Sequence, residues 1–552
     1  MELHFATLFE AISDAFGDDS AVVHGSGPGA DRWSWSDYDQ VASSFAGFLA
    51  HRGVGVQARV ALYLFNGPEY LIAQYGAFKH RAVPINVNYR YTGDELRHIL
   101  TDSTAEVLVY DASLRERVEQ VRSELPNVRA WVEVGGPSAG PGWATNFSEA
   151  IAHAPAARHA RDADDQYVLY TGGTTGLPKG VVFRMGDFVR RMFTGYGYRG
   201  WASPVDGSDM VAKALAHRAA GDRRVAIPAC PLMHGTGLWL GVFYAHMMGG
   251  TAVTLTGRRF DADELWRTAE AEGADAVIIV GDAFAGPMLA SLDAAEAAGR
   301  PYRLEAMRII MSSGVMWSAE VQRGLLRHLD VRLVDSMGST ESGIARRIMT
   351  RAILQADPQA LDTAKFELLA GSRVLREDGT DVTAGSGEQG RLAASGVCVP
   401  IGYHNDPVKS AITFPELDGR RYVVAGDWAT VEADGRIVLL GRGSGCINTG
   451  GEKVFPEEVE EVLKTHPGVS DCLVVGMPDD RFGERVVAVV ALSAETMTTA
   501  DDLLGHARAH LAGYKLPRAI RFVDHVQRAA NGKADYGWAK QEAARREGDP
   551  RS

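Results

Sequence analysis

The chain is poor in cysteine, carries no excess of basic charge and holds no long apolar run. Its four cysteines, Cys230, Cys398, Cys446 and Cys472, are scattered through 552 residues with no Cys-x-x-Cys or Cys/His spacing. That scatter argues against a disulfide framework or a zinc site and predicts reduced thiols in a cytoplasmic enzyme. Lys and Arg total 57 against 70 Asp and Glu, a net charge of −13, so neither nucleic acid nor an anionic membrane surface is expected as the main partner. No apolar stretch reaches the length of a bilayer span, and Met1-Glu2-Leu3-His4-Phe5 lacks the basic region and apolar core of a signal peptide. Internal repeats and extended low-complexity tracts are likewise missing.

What is present is 46% hydrophobic residues, enough for sizeable cores, in a chain too long for one ordinary domain. Short β-branched runs alternate with helical segments from about 60 to 310: Val60 to Leu64, then Glu69 to His80, Val107 to Tyr110, Ala252 to Leu255 and Ala276 to Val280. This alternation predicts a large N-terminal α/β domain of layered sheets and helices. Glycine-rich loops are expected near 135–142 and, in part, over 204–221. The glycines around Ser444 in Gly441-Arg442-Gly443-Ser444-Gly445 make a soft pivot. The expected division is therefore an N-terminal domain over 1–440, a hinge at 441–445 and a small mobile α+β domain over 446–552.

The densest chemical signal is Tyr170-Thr171-Gly172-Gly173-Thr174-Thr175-Gly176-Leu177-Pro178-Lys179-Gly180. Glycine exposes backbone N–H groups, the threonines add hydroxyls and Lys179 an ammonium, a donor set suited to polyphosphate. It is not a Walker loop, because Lys179 is followed by Gly180 rather than Ser or Thr. Further along stand Met337-Gly338-Ser339-Thr340-Glu341, Tyr422 to Trp428 with Gly426-Asp427, Gly441-Arg442, Asn448-Thr449-Gly450-Gly451-Glu452-Lys453 and Asn531-Gly532-Lys533.

In that order and at those separations the motifs resemble the adenylate-forming superfamily of acyl-CoA synthetases, peptide-synthetase adenylation domains and beetle luciferases. The resemblance covers nearly the whole chain and implies ATP, Mg²⁺ and coenzyme A as cofactors. It implies that Thr171, Gly172, Gly173, Thr174, Thr175, Gly176 and Lys179 cradle the β- and γ-phosphates, and that Met337, Gly338 and Ser339 border the adenine. Thr340 would reach the α-phosphate, Glu341 would ligate Mg²⁺, and Asp427 with Arg442 would take the ribose. Lys533 would bridge the acid's carboxylate and the α-phosphate during adenylation. Rotation about Ser444 would then bring Asn448, Gly450, Gly451 and Lys453 to the CoA arm.

Pro231-Leu232-Met233-His234-Gly235-Thr236-Gly237 resembles the superfamily segment that lines the route to the carboxylate. His234 and Gly235, with Trp239, Phe243, Phe284, Met316 and Met337, are expected to form the acyl pocket, His234 also serving in catalysis. No acidic residue stands where amino-acid-activating relatives hold the amine. The implied substrate is a bulky hydrophobic acid, terpenoid, steroid-like or long-chain, as in actinobacterial steroid side-chain and long-chain acyl-CoA ligases. Three alternatives stay open: thioester formation from supplied acyl-adenylate only, transfer to a carrier protein, and a non-catalytic nucleotide-binding protein. Whether the chain forms a homodimer stays open too. The chain departs from its relatives in Met337, where an aromatic commonly meets adenine, in Ser444 at the pivot, and in Arg346-Arg347, expected to face solvent.

Overall fold

The computed structural model describes residues 1–136, 140–171, 178–222, 224–315, 317–361, 365–442, 445–449, 452–479, 483–493, 498–511, 513–528 and 534–545, with the backbone alone at Arg442, Asn448, Glu452 and Lys453. The chain divides into two compact units, Met1–Asp362 with Ser395–Val423 and Thr363–Ala394 with Val424–Ser552.

The first unit is the expected α/β body. One sheet runs in the order Gly343–Met349, Arg332–Gly338, Ile309–Ser313, Ala276–Ile279, Val225–Pro228, Thr251–Thr254, Ser20–His24, Asp31–Ser34. Its inner pairings are parallel and its two outermost antiparallel. A second, wholly parallel sheet is built on Val83–Asn86, Arg59–Tyr63, Ala105–Asp111, Ala130–Val134 and Thr145–Asn146. Parallel strands direct their carboxyl ends to one edge, which opens the crevice where ligands bind in such sheets. Here that edge carries Met337-Gly338, Ser312-Ser313 and the chain leaving Pro228 toward His234. The segment expected as partly loop near 204–221 contains a helix, Gly207–Ala219, started by the Asp206 carboxylate, which accepts from the Ser208 and Asp209 N–H groups.

The helix Phe5–Phe16 packs an aromatic core against these layers. The Phe5 ring lies 4.3 Å from Phe243 and 5.4 Å from Phe78, and Tyr167, Phe188 and Trp239 continue the cluster. His246 is fully buried in it, 4.9 Å from the Trp35 ring. Its Nε2 lies 3.0 Å from the Ala21 carbonyl while Nδ1 has no hydrogen-bond partner, so the neutral ring donates from Nε2, and a second proton would be buried without an acceptor. Burial accordingly lowers the His246 pKa from 6.5 to about 4. Below pH 6.5 the unfolded chain takes up this proton while the folded chain does not. Stability held above that pH is therefore lost as pH falls through about 4. Asp335, pushed up to about 6 by burial, contributes in the opposite sense. His246→Phe is expected to lose the first dependence alone. Its Tm should fall less than wild type's between neutral pH and pH 4, by the equivalent of about 3 kcal/mol. Parallel pH–Tm curves would contradict this.

The second unit has two sheets of its own. One is antiparallel, in the order Lys365–Leu368, Ile437–Arg442, Asp427–Val431, Gln389–Ala394, Ser372–Leu375. The other centres on the long hairpin Val469–Asp479 and Gly483–Leu492, flanked by Ile447–Thr449 with Glu452–Val454 and by Ala519–Val523. The helices Pro456–Lys464, Ala500–His510 and Tyr536–Ala544 accompany it, in agreement with the expected α+β character.

Candidate active site

The Gly/Thr-rich motif sits on a hairpin of the first unit, where Gln166–Thr171 pairs antiparallel with Lys179–Arg184 and Thr171 lies opposite Lys179. Gly172, Gly173, Thr174, Thr175 and Gly176 lie outside the described residues. The base of the loop is held from two sides. Asn86, buried at the end of its strand, accepts from the Tyr170 N–H at 2.7 Å and donates to the Tyr170 and Met233 carbonyls at 2.8 and 2.7 Å. The Tyr170 hydroxyl donates to Asp102 at 2.6 Å. One amide thus ties the base of the Gly/Thr-rich motif to the segment that carries His234.

A third strand, Gly402–Tyr403, joins the hairpin along Lys179–Arg184. It brings Tyr403 against Glu341: the phenol donates to the buried carboxylate at 2.6 Å. Lys179 Nζ donates to Asp406 at 2.9 Å and lies 5.9 Å from the centre of the Tyr403 ring, with Lys409 Nζ 5.8 Å from the same ring. Burial works against the Lys179 charge, but the Asp406 carboxylate outweighs it and raises the pKa. Burial and the neighbouring Lys179 ammonium lower that of Lys409. The cluster therefore gathers two ammonium groups and the Asp406 and Glu341 carboxylates at the foot of the loop, supplying both cationic donors for a phosphate and a hard anionic oxygen for a cation.

Glu341 sits in the turn between Arg332–Gly338 and Gly343–Met349, closed by the Ser339 N–H donating to the Ser342 carbonyl at 2.9 Å. A side chain at Gly338 would strike that carbonyl, so the turn needs glycine there. The Thr340 carbonyl accepts from Arg191, whose guanidinium stacks 5.1 Å over Trp239. The loop base, the Glu341 turn and the His234 segment thus converge in one unit. Such a set of donors and a carboxylate, converging at the open edge of a parallel sheet, suits a nucleotide triphosphate.

The family described as AMP-binding enzyme matches residues 9–404, and its C-terminal domain matches 458–533. The chain belongs to the AMP-binding enzyme family. A relative from Mycolicibacterium smegmatis named medium/long-chain-fatty-acid–CoA/3-oxocholest-4-en-26-oate–CoA ligase is 37% identical over 566 aligned residues, covering 100% of this chain and 98% of that one. A 3-oxocholest-4-en-26-oate–CoA ligase from Rhodococcus rhodochrous is 38% identical over 94% of this chain and 92% of its own. Among solved structures, an anthranilate CoA ligase in complex with anthranoyl-AMP superposes with a TM-score of 0.80 at 21% identity, covering 97% of each chain. ATP-bound MatB from Rhodopseudomonas palustris gives 0.79 at 24% identity, over 97% of this chain and 98% of its own. These superpositions establish the fold.

Within this AMP-binding enzyme the remaining expected residues fall as follows. His234 is half-buried in the segment after Pro228, and a side chain at Gly235 would meet the Trp239 ring. Trp239 donates from Nε1 to the Tyr167 hydroxyl at 2.7 Å and Phe243 packs on Phe5, so both belong to the aromatic core beneath that segment. Phe284 packs on Phe260 at 4.8 Å, and Met337 is buried at the carboxyl end of its strand; Met316 lies outside the described residues. In the second unit Asp427 and Arg442 are cross-strand partners, as are Asn448 and Lys453. Ser444, Gly450, Gly451 and Lys533 lie outside the described residues.

One expectation is corrected. Arg347 does not face solvent: it is buried, with Nη2 3.3 Å from the Asp335 carboxylate on the adjacent strand. Strand alternation sends it inward, and Asp335 supplies the counter-charge. Sequence reasoning also passed over Tyr403, Asp406 and Asn86. The first two had a signal, since Asp406-Pro407 is a helix start with Asp as cap and Pro in the first turn. A lone asparagine at a strand end gives none.

Proposed function

We propose that this AMP-binding enzyme is an acyl-CoA ligase that joins a bulky hydrophobic carboxylic acid to coenzyme A through an acyl-adenylate. This reading rests above all on the convergence of Lys179, Tyr403 and Glu341 at the foot of the Gly/Thr-rich loop. The acid's carboxylate oxygen attacks the α-phosphorus of ATP, the bond to the β-phosphate breaks and pyrophosphate leaves. The CoA sulfur then attacks the acyl carbon, AMP departs with the bridging oxygen, and the thiol proton passes to solvent. Lys179 and the loop hold the phosphates, Asp427 and Arg442 the ribose, and Lys533 the reacting carboxylate. Rotation of the C-terminal domain about Ser444 exchanges that lysine for Asn448, Gly450, Gly451 and Lys453 before the CoA step.

Glu341 suits a Mg²⁺ ligand: it is a buried hard-oxygen donor that accepts a single hydrogen bond, from Tyr403, among the described residues. When bound, the ion screens the phosphate charge. The class of acid is supported by the relatives, named for medium- and long-chain fatty acids and for a steroid-derived acid, and by the apolar surroundings of the His234 segment. Free cysteines, three of them buried, accord with a reducing, cytoplasmic setting.

The test is mass spectrometry of the purified enzyme with ATP, Mg²⁺, CoA and a panel of fatty, aryl and polycyclic terpenoid acids. Thioester, AMP and pyrophosphate are expected from a polycyclic or long-chain acid. Thioester only from supplied acyl-adenylate, or ATP binding without pyrophosphate release, would overturn the full ligase reading.

A further inference from the structure

The turn that presents Glu341 is held from outside itself. Within the turn the Ser339 N–H donates to the Ser342 carbonyl, but the hydroxyls of Ser339 and Ser342 are buried with no hydrogen-bond partner among the described residues. Tyr403 grips the end of the Glu341 side chain. The backbone is gripped by Arg191, whose Nη1 donates to the Thr340 carbonyl at 3.2 Å. That carbonyl and the Glu341 N–H belong to one planar peptide unit, so holding its oxygen constrains the direction in which the Glu341 side chain departs.

The surrounding elements place Arg191 for this. The helix Met185–Phe193 follows directly on the strand Lys179–Arg184 of the Gly/Thr hairpin, and Arg191 stands in its last turn. Its guanidinium lies 5.1 Å from the Trp239 ring and 5.9 Å from that of Phe188. Trp239 packs against Gly235 and is bonded through Nε1 to Tyr167, on the other strand of the hairpin. One side chain thus joins the hairpin, the Glu341 turn and the wall of the His234 segment, all within the first unit.

The charge on Arg191 has no structural counter-charge. The side chain is half-buried, and no carboxylate lies within ion-pair distance of it among the described residues; Asp187, one helical turn before it, pairs with Arg190 at 3.1 Å. Burial pushes the adjacent Cys398 thiol up to about 12 against the pull of Arg191, so that thiol stays neutral. Taking a guanidinium partly out of water is costly, and the two aromatic faces offset only part of that cost. A methionine or leucine would pack on Trp239 and Phe188 without it. What neither could supply is the charge-assisted hydrogen bond to Thr340.

We propose that Arg191 is a positioning residue for adenylation: it fixes the peptide that joins Thr340 to Glu341, aims the Glu341 carboxylate before nucleotide and metal arrive, and ties that aim to the Trp239 wall. The inference rests on the acyl-CoA ligase reading and deepens it by naming a residue that acts through Glu341. Two holds on one residue, Tyr403 on the carboxylate and Arg191 on the backbone, remove freedom that Glu341 would otherwise lose on meeting its ligand.

The test uses the full-length enzyme and an acid that the wild type turns over. Pyrophosphate release is one readout; binding of Mn²⁺·ATP without acid, followed by the EPR signal of the ion, is the other. Arg191→Met removes the charge and the donor and keeps an unbranched chain on Trp239. It should lower kcat for pyrophosphate release roughly tenfold to a hundredfold, as expected for one charge-assisted hydrogen bond. It should also weaken Mn²⁺·ATP binding roughly threefold to tenfold while leaving KM for the acid within about twofold. Arg191→Lys keeps the charge and one donor and should recover most of both losses. In a cycle with Glu341→Gln the losses should not multiply, and the double variant should lie within about fivefold of Glu341→Gln alone. Losses that multiply would overturn the proposal. So would wild-type behaviour of Arg191→Met, or a raised KM for the acid with kcat and Mn²⁺·ATP binding unchanged. If Arg191→Met does not fold, Arg191→Gln, which loses the charge and keeps a donor, is read in the same way. Absence of pyrophosphate release by the wild type with every acid would instead overturn the ligase reading, and Mn²⁺·ATP binding would still decide whether Arg191 positions the turn.

Discussion

Glu341→Gln is expected to slow acyl-adenylate formation by roughly a hundredfold to a thousandfold, read as pyrophosphate release. The substitution keeps shape and volume and removes one negative charge from a buried position where the Tyr403 hydroxyl already points at it. A hydrogen-bonded but neutral amide can still accept from Tyr403, so the turn from Gly338 to Gly343 should persist and the thermal transition should move little. What is lost is a hard anionic oxygen beside Tyr403, at the proposed Mg²⁺ position. The variant should therefore also need more Mg²⁺ for half-maximal rate, a readout that a merely structural role would not move. Tyr403→Phe keeps the charge and removes only its orienting donor, and its cost should be smaller, about tenfold. Wild-type pyrophosphate release by Glu341→Gln at ordinary Mg²⁺ would remove Glu341 from the machinery.

Tyr403 marks the limit of what the sequence discloses. Glu341 and Lys179 are legible because each stands inside a motif whose neighbours constrain it: Gly338 must be glycine for the turn to close, and the loop needs flexible, donor-rich residues. The helices and parallel strands are legible for a related reason, since Pro68–Lys79, Ala276–Ile279 and their neighbours carry their periodicity locally. Contacts between distant segments leave no such trace. Asn86 reaches Tyr170 and Met233, residues 84 and 147 positions away. Asp275 gathers Arg199 and Arg224 from two other elements. Arg347 shows the same limit from the other side: two adjacent arginines read as solvated charge until the strand register sets Arg347 opposite Asp335.

Lys533→Ala carries the other large expected effect, and one that separates the two half-reactions. Adenylation brings two anions, the carboxylate and the α-phosphate, within bonding distance, so a cation shared between them acts chiefly in the transition state. Its removal should slow adenylate formation by roughly a hundredfold or more. Attack of the CoA sulfur on a supplied acyl-adenylate needs no such bridge, and that rate should stay near wild type. The chain on either side of 529–533 is firmly anchored. Arg528 pairs with Asp471 at 2.6 Å and bridges to Ala534, and Asp535 caps the helix Tyr536–Ala544 by accepting from the Trp538 N–H at 2.9 Å. Truncation of one side chain between two such anchors should not unfold the domain, so a rate effect can be read as chemistry. Equal loss in both half-reactions would mean that Lys533 serves the fold or the nucleotide in general. Loss in neither would place the bridging cation elsewhere, and Lys409, held beside Lys179 over the same tyrosine ring, would be the next side chain to change.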